Sequence, residues 1–188
     1  MKQLTLLLLL ISFSSFAQEN DQSPKPTIEK KEYNATKISD TPKIDGILDD
    51  AIWQQIPDAG EFVMLTPGDG THERPTHRTK VKIAYTDEAV YVAAYMYDNQ
   101  PDQILRQFSQ RDNLNSQADY FSVIFNTYNN GINETKFVIT SAGTLADATS
   151  ENGRDDWNWS TVYRAEMSFD DKGWYAEFKI PYAALRFP

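Results

Sequence analysis

The chain has 188 residues, a formal net charge of −9 and no cysteine. With no basic face to neutralise phosphates, that balance argues against nucleic acid as a partner. The missing cysteines exclude a disulfide framework, a zinc–thiolate centre and lipidation of an N-terminal cysteine.

The N-terminus reads as a secretory signal. Met1-Lys2 supplies a positive charge, Leu4 to Ile11 an apolar run that continues through Phe13 and Phe16, and Ser15 and Ala17 the small residues before a cut at Gln18. A membrane span needs about 20 apolar residues, and Ser12, Ser14 and Ser15 interrupt this one. Residues 1–17 are therefore expected to be a signal peptide, and the protein to be exported to the periplasm or cell surface. Residues 18–35 follow as a polar, proline-containing lead-in without periodicity, and a first strand is expected near Tyr33–Ser39.

Between Ile44 and Trp53 the pattern is helical. Asp45 suits an N-cap, Asp49 and Asp50 place negative charge in a first turn, and Leu48 and Ile52 share a face. The expectation is a short helix over Ile47–Gln55, stopped by Pro57.

From Thr79 onward the period is two. Val81, Ile83 and Tyr85 alternate with Lys80 and Lys82, while Val90–Tyr97 is apolar on both faces, as in a central strand. Phe121, Val123 and Phe125 form the next alternating row, then Phe137 and Ile139, with Asn129-Asn130-Gly131 as the turn between. Tyr163, Ala165, Met167 and Phe169 lead through Asp170-Asp171-Lys172-Gly173 into Trp174, Ala176, Phe178 and Ile180, set against Glu177 and Lys179. Many short alternating strands joined by turns predict an all-β, antiparallel sandwich or barrel over residues 36–188. Trp53, Trp174, Phe121 and Phe125 read as core.

Several segments carry a resemblance. Pro42-Lys43-Ile44-Asp45-Gly46-Ile47-Leu48-Asp49-Asp50-Ala51-Ile52-Trp53 and Tyr91-Val92-Ala93-Ala94 resemble the opening of family 9 carbohydrate-binding modules. Arg111-Asp112-Asn113, the run Ala118–Tyr128, Asp155-Asp156-Trp157-Asn158-Trp159 and the ending Gly173–Pro188 are similar to the family 9-like domain that precedes an outer-membrane β-barrel in a group of Gram-negative surface proteins. The resemblance implies a jelly-roll sandwich in which two aromatic rings clamp a sugar, polar residues bind its hydroxyls and calcium steadies loops. It also implies a clamping tryptophan just before Asp119, where this sequence has Ser116 and Gln117, and an acidic residue where Ser122 stands. The family adds at least one further strand and a second clamping aromatic beyond Pro188. A truncated C-terminus is therefore expected, with the strand ending at Ile180 short of a partner.

Three groups of residues carry candidate chemistry. Trp157 and Trp159, behind Asp155 and Asp156, suit an aromatic platform with acceptors for sugar hydroxyls; the alternative is a core tryptophan and a capped turn. Arg111, Asp112 and Asp119 suit a polar ligand contact or a structural ion pair. Asp147 and Glu151, with Asp155 and Asp156, are dense enough in oxygen to supply some of the ligands calcium needs, although no EF-hand spacing is present. His72-Glu73-Arg74-Pro75-Thr76-His77 is not H-E-x-x-H, and Pro75 prevents a regular helix, so it is placed in a surface loop. No nucleophile motif appears. The readings are a non-catalytic carbohydrate-binding module tied to polysaccharide catabolism, a structural domain attached to an outer-membrane barrel, or a glycoside hydrolase, whose carboxylate pair only spatial separation would define.

Overall fold

The computed structural model describes residues 30–66 and 70–187; the expected signal peptide and most of the lead-in lie outside them. Nine strands form two sheets. They are β1 (Thr36–Lys37), β2 (Thr79–Tyr85), β3 (Ala89–Tyr97), β4 (Tyr120–Phe125), β5 (Asn133–Thr140), β6 (Leu145–Glu151), β7 (Arg154–Asp156), β8 (Arg164–Asp170) and β9 (Gly173–Pro181). One sheet has the order β1-β2-β3-β9-β8 and the other β4-β5-β6-β7. All pairings are antiparallel except β1 with β2, which is parallel.

The alternating rows read from sequence are the inward faces. Val81, Val92, Ala94, Trp174, Ala176, Phe178 and Ile180 of the first sheet pack with Phe137 and Ile139 of the second. Phe121 meets Phe178 with ring centroids 5.9 Å apart. Tyr163 crosses the interior, edge-on to Phe137, and its hydroxyl lies 2.8 Å from the Val138 carbonyl and 2.9 Å from that of Ala146.

β3 is apolar on both faces because both are covered. Its other face, with Ala89, Tyr91 and Ala93, packs under Ile38, Ile44, Trp53 and Ile56. Burying a side chain such as Trp53 contributes about 2–3 kcal/mol.

This cover departs from the expected helix. Only Ala51–Gln55 coils, as a single 3₁₀ turn. Asp45 does use its carboxylate as a local acceptor, from the Ile47 N–H at 3.0 Å. Ahead of that turn Gly46 sits at φ +79°, outside helical backbone, and its N–H and that of Asp45 donate to Glu177. A Cβ at Gly46 would meet the Met167 backbone at 2.6 Å, so only glycine fits.

Glu177 is itself a correction. Its strand position reads as solvent-facing, yet it is fully buried beneath this segment. The first strand is also shorter than expected, two residues of the seven in Tyr33–Ser39. The strand ending at Ile180 is not short of a partner: β9 pairs with β3 along its whole length and with β8 on the other side. The outermost strands are β1 and β8 in one sheet and β4 and β7 in the other.

Candidate functional site

The turn between β7 and β8 carries the two predicted tryptophans. Trp157 and Trp159 are each half-buried and belong to neither apolar core. The Arg186 guanidinium lies over the Trp159 ring, 5.6 Å from its centroid, a cation–π arrangement that stiffens an exposed ring. Arg186 also borders a pocket of about 280 Å³ at the β5 start and β6 end, with Thr127, Tyr128, Asn133, Glu134 and Glu151. Hydroxyl, amide and carboxylate groups in the pocket, with Arg186 joining it to the Trp159 ring, give hydrogen-bonding and apolar surface that a polyol ring matches.

The acids before the tryptophans have separate tasks. Successive residues of β7 face opposite ways. The Asp155 carboxylate accepts from Lys136 Nζ at 2.7 Å. Burial opposes its ionisation, but the lysine outweighs burial and holds it below the usual aspartate range. Asp156 accepts from the Asn158 backbone N–H at 3.0 Å and from its side-chain amide at 3.2 Å, closing the turn that presents Trp157.

Arg111 and Asp112 come together, but with Asp147 rather than Asp119. Arg111 Nη2 donates to Asp147 Oδ1, and the Thr161 N–H donates to Asp147 Oδ2 at 2.6 Å. Asp112 accepts from the Asp147 N–H at 3.1 Å, and Arg111 Nε lies 3.7 Å from its other oxygen. Arg111 also lies over the Tyr163 ring, 5.5 Å from its centroid. Asp147 is fully buried. Burial raises its pKa, offset in part by the Thr161 N–H and Arg111. The network ties the loop around 111–112 and the segment before β8 to β6, which is an anchoring role.

Glu151 lies four residues along β6 from Asp147, about 13 Å away at strand rise, exposed and beside the Arg186 pocket. Among the described residues no group of three or more His, Asp or Glu is placed to hold a metal ion. Asp119 sits apart, in a second pocket with His77 and Asp98. His72 is exposed and paired in a short bridge with Val63.

One aromatic cluster was not anticipated. On the outer face of the first sheet Tyr95 stacks between Tyr97, at 3.9 Å, and Tyr175, at 4.1 Å. Both Tyr95 and Tyr175 hydroxyls donate to Asp170, at 2.7 and 2.5 Å. Burial, then hydrogen bonding, pushes both phenols above their usual range. Tyr95 and Tyr97, two apart in a strand, were the available signal for a shared face.

The fold has relatives of known structure. A family 9 carbohydrate-binding module from Caldicellulosiruptor kristjanssonii in complex with cellotriose superposes with a TM-score of 0.55 at 16% identity, covering 82% of this chain and 70% of that one. A complex of a family 9 module from the same organism with glucose gives 0.51 at 16% identity, over 82% and 71%. A candidate carbohydrate-binding protein from Bacteroides uniformis gives 0.60 at 12% identity, over 80% and 72%. No protein-family profile matches the sequence, and no curated protein matches it significantly. At these identities the likeness establishes the fold, a β-sandwich of the family 9 carbohydrate-binding type.

Proposed function

We propose that this domain is a non-catalytic glycan-binding module of an exported cell-envelope protein, acting through the Trp157–Trp159 turn and the adjoining pocket. The observation that carries the reading is that both tryptophans stand outside the two cores, and Trp159 meets Arg186, which lines a polar pocket, on a fold whose solved relatives include complexes with cellotriose and glucose. The Trp159 face packs against the C–H face of a sugar ring, while Glu151, Asn133 and Glu134 accept or donate to its hydroxyls. Asp156 contributes by holding the turn. The position before Asp119, Ser116-Gln117, carries no ring, so the contact moves to the tryptophan turn. Cleavage before Gln18 delivers the module, and attachment to an outer-membrane barrel would hold it at the surface, in the service of polysaccharide uptake.

Calorimetric titration with cello-oligosaccharides tests this. Trp159→Ala and Trp157→Ala are expected to fold like the parent and to bind on the order of 10- to 100-fold more weakly, matching about 1–3 kcal/mol of ring burial. Unchanged affinity in both variants would move the site elsewhere. No binding by the parent to any glycan of a polysaccharide panel would reject the reading.

A further inference from the structure

Four strands bring their inward rows to one end of the sandwich. On β3 the row runs Val92, Ala94, Met96, and two residues further the same side of the chain carries Asp98. On β4 it runs back from Val123 through Phe121 to Asp119, one residue before the strand. β2 ends the same way at Thr79 and β9 at Trp174. Where apolar side chains are expected to continue, two of the four rows finish in carboxylates.

A pocket of about 390 Å³ opens between these row ends, with Met96, Ile104 and Trp174 supplying apolar wall and the exposed Tyr120 at its mouth. The two acids are not equally provided for. Asp98 Oδ1 accepts from the Gln100 N–H at 2.6 Å, and its Oδ2 lies 3.7 Å from His77 Nε2. Asp119 is open to solvent; its carboxylate has no hydrogen bond or ion pair to another described residue, and its backbone carbonyl accepts from the Ser141 N–H at 2.8 Å. Burial, and then the neighbouring charge of Asp98, raises the Asp119 pKa, with His77 opposing. The pocket therefore sets apolar wall beside two carboxylates, with His77 next to Asp98.

We propose that this pocket is a second binding site, for a small organic ammonium: a compact carbon skeleton against Met96, Trp174 and Tyr120, with its amine donating to Asp119 and Asp98. A volume near the lower end of the roughly 300–1,000 Å³ typical of small-molecule sites suits a single ring, and a charge-assisted N–H···carboxylate bond gives Asp119 a donor in place of solvent. A glucosamine unit has this chemistry; its N-acetylated form keeps the skeleton and loses the charge. The site is independent of the Trp157–Trp159 turn.

The test titrates glucosamine and N-acetylglucosamine into the parent, Asp119→Asn and Trp159→Ala. Glucosamine is expected to bind the parent at least about tenfold more tightly than the N-acetylated sugar, Asp119→Asn to lose that preference, and Trp159→Ala to keep it. Chemical-shift changes on glucosamine addition should centre on Met96, Tyr120 and Trp174. Equal affinity for the two sugars, undiminished binding by Asp119→Asn, or no saturable glucosamine binding would each overturn the proposal. So would calcium that displaces glucosamine in an Asp119-dependent manner, since the site would then be a metal site.

Discussion

Among the described residues two carboxylates are wholly buried, Glu177 and Asp147, and they do related work by opposite means. Glu177 takes three neutral donors and no cation: the Asp45 and Gly46 N–H groups at 3.0 and 2.8 Å, and Trp53 Nε1 at 2.8 Å. Asp147 takes a guanidinium together with the Thr161 N–H. Each fixes a stretch of chain that has almost no ladder of its own onto a sheet. The difference is in the compensating charge. Each has a helper: the Ser168 hydroxyl donates to the Gly46 carbonyl beside Glu177, and Asp112 binds the Asp147 backbone. A neutral-donor site saves the burial of a second charge but leaves the anion compensated only by dipoles.

The largest effect should come from removing the carboxylate that holds three donors. Glu177→Ala strands three buried donors and frees the Trp53 segment, so urea unfolding should show a loss of about 3–4 kcal/mol. Arg111→Ala leaves Asp147 buried without its cation; because Arg111 is partly exposed and Thr161 remains, the loss should be nearer about 2 kcal/mol, and Asp147→Asn in the same chain should recover part of it. A loss at Arg111 exceeding that at Glu177 would invert the comparison.

A subtler effect is the response of Glu177 to acid. Burial lifts the Glu177 pKa above its ordinary 4.5, against the Asp45 N–H, Trp53 and Gly46. The folded state then binds this proton more readily than the unfolded state. Glu177 therefore adds stability as pH falls through its folded pKa, with nothing further gained below 4.5. Asp155, held below 3.8 by Lys136 despite burial, works the other way: its stabilisation is present above 3.8 and lost as pH falls through its folded value. Urea midpoints measured from about pH 8 to about pH 4 should show a shallower acid-side gain in Glu177→Gln than in the parent. An identical pH profile would mean the glutamate does not titrate in that window. The smallest effect belongs to the tryptophan turn, where Trp157→Ala should cost under about 1 kcal/mol because the ring lies outside both cores; a loss of about 3 kcal/mol would make it structural.

Sequence alternation was a good guide wherever a strand has one apolar face. β2, β3, β4, β5, β8 and β9 fall close to their expected positions because Val, Ile, Phe and Tyr mark every second residue. β6 and β7 were not read. Leu145–Glu151 is built from small and polar residues, with Ala146, Ala148 and Asp147 all buried, so its inward row has no apolar signature. Glu177 was misread for the mirror reason: alternation assigns a polar residue to solvent, and nothing local shows that a segment more than a hundred residues earlier will cover it. At the candidate sites, Trp159 and Asp119 were visible as residue types, but their neighbours, Arg186 in one case and His77 and Asp98 in the other, come from distant parts of the sequence and only the topology unites them.

The Glu177 clasp also bears on how the chain breathes. Amides outside ladders ordinarily exchange their protons with solvent quickly, since no neighbouring strand shields them. The Asp45 and Gly46 amides lie in a loop, yet their protons point at an interior carboxylate. They should exchange on the slow timescale of β3 and β9, and in Glu177→Gln they should become fast while those two strands stay slow. The loop would then open and close as a separate cooperative unit, latched by the Glu177 carboxylate with the Ser168 hydroxyl beside it.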